Sequence, residues 1–284
     1  MFVVDFDPVL VRFGNIEIRW YGLMYVWGFI ISGQILKKLS REKYFRVEED
    51  KADVFLTYML VSMFLGARFF YVFIYNWNYY SQNLTELFSV WKGGLSFHGA
   101  LTGMCVGLFL FARKYKLHYF EVADVLALSG SQGLFWGRIG NFINGELYGR
   151  VTTSPFGMVF KNGGPMPRHP SMLYEGFFEG IVLSLIIWSF KSKVKFQGAL
   201  GGIFLMGYAF FRYFIEFFRQ PDAQLGYYFG GTTTMGQILC FIMFLAGASF
   251  YLFCKYKNRP ALVSVKPSNK SNPKKSQKKQ SRRK

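Results

Sequence analysis

The sequence predicts an all-α integral membrane protein, a polytopic bundle of about seven transmembrane helices with an extracytoplasmic polar chamber. Three observations predict it. Of 284 residues, 51% are apolar, and the aromatic share of 20% comes from 34 Phe, 18 Tyr and 6 Trp, more than an ordinary soluble core uses. Seven apolar runs approach the roughly 20 residues that a helix needs to cross a hydrocarbon core about 30 Å thick. Finally, the loops between those runs alternate between rich and poor in Lys and Arg, as the positive-inside bias requires.

The runs fall at residues 20–36, 53–75, 95–112, 119–136, 173–190, 198–218 and 235–254. Before the first lies an N-terminal arm, residues 1–19, in which Asp5, Asp7, Arg12, Glu17 and Arg19 interrupt any basic start or continuous apolar stretch. That pattern does not suit a cleavable signal peptide, so the first helix is expected to act as its own insertion signal. The fourth run is the least apolar. It carries Glu121, Asp124, Ser129, Ser131 and Gln132, which fits either a span shielded from lipid by its neighbours or a re-entrant segment. After the last run, residues 255–284 form a low-complexity basic tail expected to be disordered.

Charge placement fixes both orientation and class. The net charge of +18 suggests a nucleic-acid binder until it is located: residues 255–284 hold twelve of the 34 basic residues and no acidic one. The pI is therefore a tail effect, and no nucleic-acid partner is expected. Residues 37–51 contain six basic side chains, 76–94 only Lys92, 113–118 three and 191–197 three. This places the N-terminus outside and the C-terminus in the cytoplasm of a multi-pass protein. Residues 137–172 would lie outside despite Arg138, Arg150, Lys161 and Arg168, so those charges need another explanation. Cys105, Cys240 and Cys254 fall within or at the end of apolar runs and read as buried thiols, not as a disulfide framework.

An ionisable group at mid-bilayer costs at least about 2.5 kcal/mol, which makes each one a functional candidate. On this topology Tyr21, Arg68, His98, Arg138, Glu175, Tyr208, Arg212, Glu216 and Arg219 all fall toward the outer leaflet, where together they could hold an anionic headgroup. Each has a plainer reading. Arg68 lies about 10 Å from its helix end at 1.5 Å per residue, within snorkelling range. Arg212 and Glu216 have the spacing of a structural ion pair. His98, flanked by Gly93, Gly94, Gly99 and Gly103, is open to close approach but is also a lone histidine. His118 sits among Arg113, Lys114 and Lys116 at the surface, and His169 precedes a helix start. No Cys or His pair has metal-ligand spacing, and neither a metal nor another cofactor is expected.

The densest polar signal is residues 137–150, Gly-Arg-Ile-Gly-Asn-Phe-Ile-Asn-Gly-Glu-Leu-Tyr-Gly-Arg. Glycine permits tight turns, Asn supplies paired donors and acceptors, and Arg offers a planar fork for phosphate. A phosphate-gripping loop and a structured interhelical turn both fit this composition.

Residues 137–149 also match throughout the signature Gly-Arg-x-Gly-Asn-Phe-x-Asn-x-Glu-x-x-Gly, and in this the sequence resembles the bacterial prolipoprotein diacylglyceryl transferases. Further blocks follow in family order: residues 20–25, Gly66-Ala67-Arg68, His98-Gly99, Arg168-His169-Pro170-Ser171 with Leu173-Tyr174-Glu175, and 212–225. The resemblance runs from about residue 8 to 254. It departs at Ala100, where the family usually has Gly, and at Met172, where it usually has Gln.

The resemblance implies an enzyme of the bacterial cytoplasmic (inner) membrane. It would move the diacylglyceryl group of phosphatidylglycerol onto the lipobox cysteine of a prolipoprotein signal peptide and release glycerol phosphate, with membrane lipids as its surroundings. His98 and Arg212 are then expected to be catalytic. Arg138, Asn141, Glu146, Gly149, Tyr21, Tyr208 and Arg68 are expected to bind substrate, with Arg138 on the headgroup and Arg212 on the leaving phosphate. Passing a proton from a thiol of pKa about 8.5 to an imidazole of about 6.5 is uphill by roughly 2.7 kcal/mol, a tolerable part of a barrier. The competing class is a lipid transporter or flippase with an outward-facing headgroup site. Charge clustered in one leaflet argues against it, since a transport path needs polar groups at both depths.

Overall fold

The N-terminal arm is built of strands. In the computed structural model, which describes residues 2–14, 16–89, 93–220, 227–228 and 233–263, β1 (Phe2–Val4) is followed by a hairpin of β2 (Val9–Phe13) and β3 (Ile16–Arg19). Helix then dominates, at 65% of the chain. α1 (Trp20–Arg41) outlasts its apolar run by five residues, ending on Lys38 and Arg41, which complement the negative end of its dipole. α2 (Asp50–Phe70) has acidic residues in its first turn and passes into a π-helical turn, Tyr71–Tyr75, before the short α3 (Trp77–Tyr80).

α4 (Phe97–Lys114) is capped by the Ser96 side chain and lies closely along α2. A methyl group at Gly66, Gly99 or Gly103 would collide with the backbone of the opposite helix, which is why that seam is lined with glycine. The fourth apolar run is not one helix. It divides into α5 (Tyr119–Gly130) and α6 (Gly133–Ile143), separated by a turn at Ser131 and Gln132.

The polar side chains of that run have partners inside the protein, as a span shielded from lipid requires. Glu121 pairs with Arg46. Asp124 accepts from the Gly198 and Gly201 amides at 2.7 and 3.0 Å, capping the next long helix from a distance. Gln132 donates to Ser32 Oγ at 2.8 Å, and Ser184 to Ser131 Oγ at 2.8 Å.

Beyond α6, β4 (Met158–Phe160) pairs in parallel with β1, and Val4, Phe160 and Met172 form a small core beneath this outer layer. α7 (Ser171–Glu175) continues through a π-helical stretch, Gly176–Val182, into α8 (Leu183–Phe190). α9 (Ala199–Ile215) follows Gly198, whose φ of +87° suits glycine alone. β5 (Tyr227–Tyr228) and β6 (Thr233–Thr234) then lead to α10 (Met235–Lys257), which opens with a Thr234–Gln237 capping box.

Three of these helical segments are long and apolar enough to cross a membrane, Asp50–Tyr75, Ser171–Phe190 and Met235–Lys257, while Ala199–Ile215 is apolar but shorter. α1 falls short because Trp, Tyr, Gly and Gln34 dilute its apolarity, α4 because of His98, its glycines and the terminal Arg113 and Lys114, and α5 and α6 because the chain turns between them. α10 runs to Lys257, and Arg259 and Ala261 make backbone hydrogen bonds with Gln197 and Lys195 while Leu262 is buried. The remainder of the tail, 264–284, lies outside the described residues.

Candidate active site

The centre of the polar cluster is a carboxylate, Glu175, at the C-terminal end of α7 and fully buried. Arg138 Nη2, from α6, lies 2.7 Å from its Oε2; Arg212 Nη1, from α9, lies 3.1 Å and Arg219 Nη1 3.2 Å from its Oε1. Arg212 reaches on to Glu216, its Nη2 standing 3.0 Å from Oε2, and Thr234 Oγ1 donates to the other Glu216 oxygen at 3.1 Å. Three guanidiniums thus meet around Glu175, with Glu216 a second partner for Arg212, in a site of low dielectric.

Residues 137–143 of the signature are helical, so Arg138 and Asn141 stand on α6, not on a loop. The glycines that suggested a loop serve packing: a methyl at Gly140 would come within 2.8 Å of the Tyr21 ring. Arg138 Nη1 donates to Asn141 Oδ1 at 3.3 Å, and Asn141 Nδ2 donates to Glu146 Oε1 at 2.8 Å, which also accepts from Asn144 at 3.1 Å. This chain fixes the Arg138 fork. Gly149 seals the outer end, its amide donating to the His169 carbonyl at 2.8 Å while the next amide, of Arg150, donates to Phe218 at 2.9 Å.

The basic residues of 137–172 that break the positive-inside pattern are held in place internally. Arg168 donates to the Gly163 and Gly149 carbonyls at 2.8 and 3.2 Å and lies over the Tyr148 ring. Arg150 Nε donates to the Arg219 carbonyl at 2.9 Å, and Lys161 pairs with Asp5 at 2.8 Å.

The structure sorts the sequence-derived candidates into two groups. Arg138, Asn141, Glu146, Gly149 and Arg212 belong to the Glu175 cluster. Tyr208 is within electrostatic reach of Glu179, Arg212 and Arg138, and Tyr21, 3.0 Å from Tyr25 Oη, is within reach of Glu146 and Arg138. His98 and Arg68 stand apart on the α2–α4 pair, and no hydrogen bond, ion pair or ring contact joins them to the cluster among the described residues. His98 is exposed, with Nδ1 3.0 Å from Tyr75 Oη.

Arg68 is held by backbone carbonyls. Its Nε, Nη1 and Nη2 donate to the carbonyls of Leu87, Gly93, Gly94 and Glu86 at 2.8 to 3.1 Å, so it clamps the loop that leads to His98 instead of presenting a free fork to lipid. The outer cavity of about 510 Å³ lies between the N-terminal arm and the end of α6, lined by Asp5, Asp7, Asn144 and Lys161 among others.

With this geometry in view, relatives can be compared. The family model for prolipoprotein diacylglyceryl transferase matches residues 8–253. The chain belongs to the prolipoprotein diacylglyceryl transferase family. It is 44% identical over 241 residues to the phosphatidylglycerol–prolipoprotein diacylglyceryl transferase of Nitratidesulfovibrio vulgaris, covering 85% of this chain and 92% of that protein. The proteins of the same name from Oleidesulfovibrio alaskensis and Mannheimia succiniciproducens are 42% identical over 260 residues and 45% over 258, covering 92% and 91% of this chain and 97% and 96% of theirs.

Within this transferase fold, sequence reasoning placed Glu175 at the start of a span without seeing that it is the hub of the cluster, and it passed over Glu179. One signal pointed to both: two acidic residues four apart in an otherwise apolar run, where a buried charge requires partners.

Proposed function

We propose that this protein transfers the diacylglyceryl group from phosphatidylglycerol to the lipobox cysteine of a prolipoprotein, the first step of bacterial lipoprotein maturation. The observation that carries this reading is the buried arginine cluster around Glu175, with Arg138 supplied by the family signature itself. The substrate thiol supplies the nucleophile. Its sulfur bonds to the glycerol carbon that bears the phosphate, the carbon–oxygen bond breaks, and the electron pair leaves with glycerol phosphate while the thiol proton is taken up elsewhere.

The enzyme must then hold one phosphodiester and stabilise the second negative charge that forms as the phosphate departs. Arg138 binds the headgroup phosphate, with Asn141 and Glu146 setting its fork and Gly149 closing the segment behind it. Arg212 neutralises the departing phosphate. Tyr21 and Tyr208 position phosphate or hydroxyl oxygens. His98 accepts the thiol proton through Nε2, its Nδ1 being engaged by Tyr75. Arg68 acts on substrate through the loop it holds.

The helices are read as seven crossings of the bacterial inner membrane, with α5 and α6 together making the fourth. The N-terminal arm and residues 137–172 face outside, and the basic tail lies in the cytoplasm. On this reading the arginine cluster lies toward the leaflet where translocated signal peptides emerge.

The test is reconstitution of the purified protein with phosphatidylglycerol and a lipobox peptide, followed by mass spectrometry. Gain of a diacylglyceryl mass on the cysteine with release of glycerol phosphate is the expected result. A folded protein that leaves the peptide unchanged would overturn the reading and return the lipid transporter to consideration.

A further inference from the structure

One acidic group near the cluster has no partner. Glu179 lies four residues after Glu175 within the π-helical stretch Gly176–Val182, which presents it one turn further into the protein. It is fully buried, and neither carboxyl oxygen makes a hydrogen bond among the described residues. Its surroundings are nonetheless those of the cluster: Arg138, Arg212, Arg219, Glu175 and Tyr208 are all within electrostatic reach. The backbone beside it is packed against α6, where a methyl at Gly176 would come within 3.2 Å of Arg138 Cβ and one at Gly180 would collide with Phe135. Glu179 therefore stands on the same wall as the arginine fork.

Two unsatisfied acceptor oxygens in a buried site leave their desolvation cost uncompensated. A buried carboxyl that packing holds beside a phosphate-binding fork calls for donors carried by the ligand. The guanidiniums answer the anionic phosphate, and the two Glu179 oxygens are a pair of acceptors beside it. The headgroup of phosphatidylglycerol supplies that complement: a phosphodiester for arginine and, on the glycerol beyond it, two vicinal hydroxyl donors. A π-helical widening at this position fits a functional site, where such irregularities concentrate.

We propose that Glu179 is the headgroup-specificity residue, its carboxyl oxygens accepting hydrogen bonds from the free hydroxyls of the headgroup glycerol. This inference rests on phosphatidylglycerol being the donor lipid. Selectivity arises because an alcohol headgroup lacking the hydroxyls leaves the buried oxygens unpaired, a situation that site-built hydrogen bonding penalises heavily.

The experiment compares kcat/KM for phosphatidylglycerol with that for phosphatidyl-1-propanol, which keeps the charge and the three-carbon headgroup but has no free hydroxyl. Wild type is expected to favour phosphatidylglycerol by at least about a hundredfold. In Glu179→Gln, which keeps the shape, and in Glu179→Ala, the ratio is expected to fall at least about tenfold, through loss on phosphatidylglycerol with the propanol lipid little changed. A wild-type ratio near one overturns the inference at once, whether or not the variants fold. So does an unchanged ratio in either folded variant. Absence of transfer from phosphatidylglycerol by wild type would instead overturn the donor-lipid reading, so the two failures are distinct.

Discussion

Arg138 Nη2 lies 2.7 Å from the fully buried Oε2 of Glu175. This contact joins the family signature on α6 to the start of the fifth apolar segment, and it explains why a carboxylate is tolerated there. The same carboxylate meets Arg212 and Arg219, so one side chain sets the spacing of three cations.

Removing that hub has a large expected effect. Glu175→Gln leaves Arg138 and Arg219 without their carboxylate and Arg212 with Glu216 alone, and breaking a buried ion pair on one side costs about 3–5 kcal/mol. A thermal midpoint in detergent lowered by several degrees is expected, with transfer activity reduced by about a hundredfold or more. An unchanged midpoint would show that the cluster is not under this constraint.

Arg138→Lys separates charge from geometry. The Arg138 fork contacts Glu175 through one nitrogen and Asn141 through the other, which an ammonium cannot reproduce. A fall of about a hundredfold in kcat/KM is expected for the folded variant. Near-normal kinetics would show that charge alone suffices.

Much of this arrangement was legible in the sequence and some was not. The apolar runs located the long helices, and the polar residues of the fourth run had the internal partners that shielding from lipid demands. The break at Ser131 and Gln132 was hidden because hydropathy averages over a turn. Gly140 suggested a loop, yet in a membrane bundle glycine also permits close helix packing, and here Tyr21 occupies the space. Glu175 was visible as an acidic residue, but its partners come from α6, α9 and the segment after α9, a convergence that no local pattern encodes. Arg68 looked like a lipid ligand because the loop carbonyls that occupy it carry no side-chain signature.

His98→Gln tests the proton acceptor. If His98 takes the thiol proton, the variant loses at least about a hundredfold in kcat together with the ionisation on the acidic limb of the pH–rate profile. A variant that keeps both rate and profile would exclude His98 from the role. Tyr75→Phe, which removes the hydroxyl 3.0 Å from Nδ1, is expected to give a smaller loss of the same kind.

Gly149→Ala probes the seam between the signature segment and its neighbours. Its new methyl would come within 2.9 Å of His169 Cβ and 3.0 Å of the His169 carbonyl, against a backbone that is hydrogen-bonded on both sides. Overpacking of this kind costs about 1–3 kcal/mol, so a lower thermal midpoint and reduced activity are expected together. A fully stable variant would contradict the packing described.

His169 itself gives a pH signature. Partial burial beside Tyr174 and Phe218 holds its pKa below the ordinary 6.5. The unfolded chain therefore binds a proton more readily, and stability falls as pH drops below about 6.5 toward the folded value. Thermal midpoints between pH 8 and pH 5 should decline more steeply in wild type than in His169→Gln. Parallel curves would remove His169 as the cause.

The central claim is that the Arg138–Glu175–Arg212 cluster is where phosphatidylglycerol gives up its diacylglyceryl group. The most direct measurement is transfer to a lipobox peptide in proteoliposomes, read by mass spectrometry, for wild type, Arg138→Ala and Arg212→Ala, each shown to be folded by its thermal melt. The account predicts a diacylglyceryl mass on the cysteine with wild type and loss of at least about a hundredfold in both variants. Folded variants that transfer at the wild-type rate would contradict it.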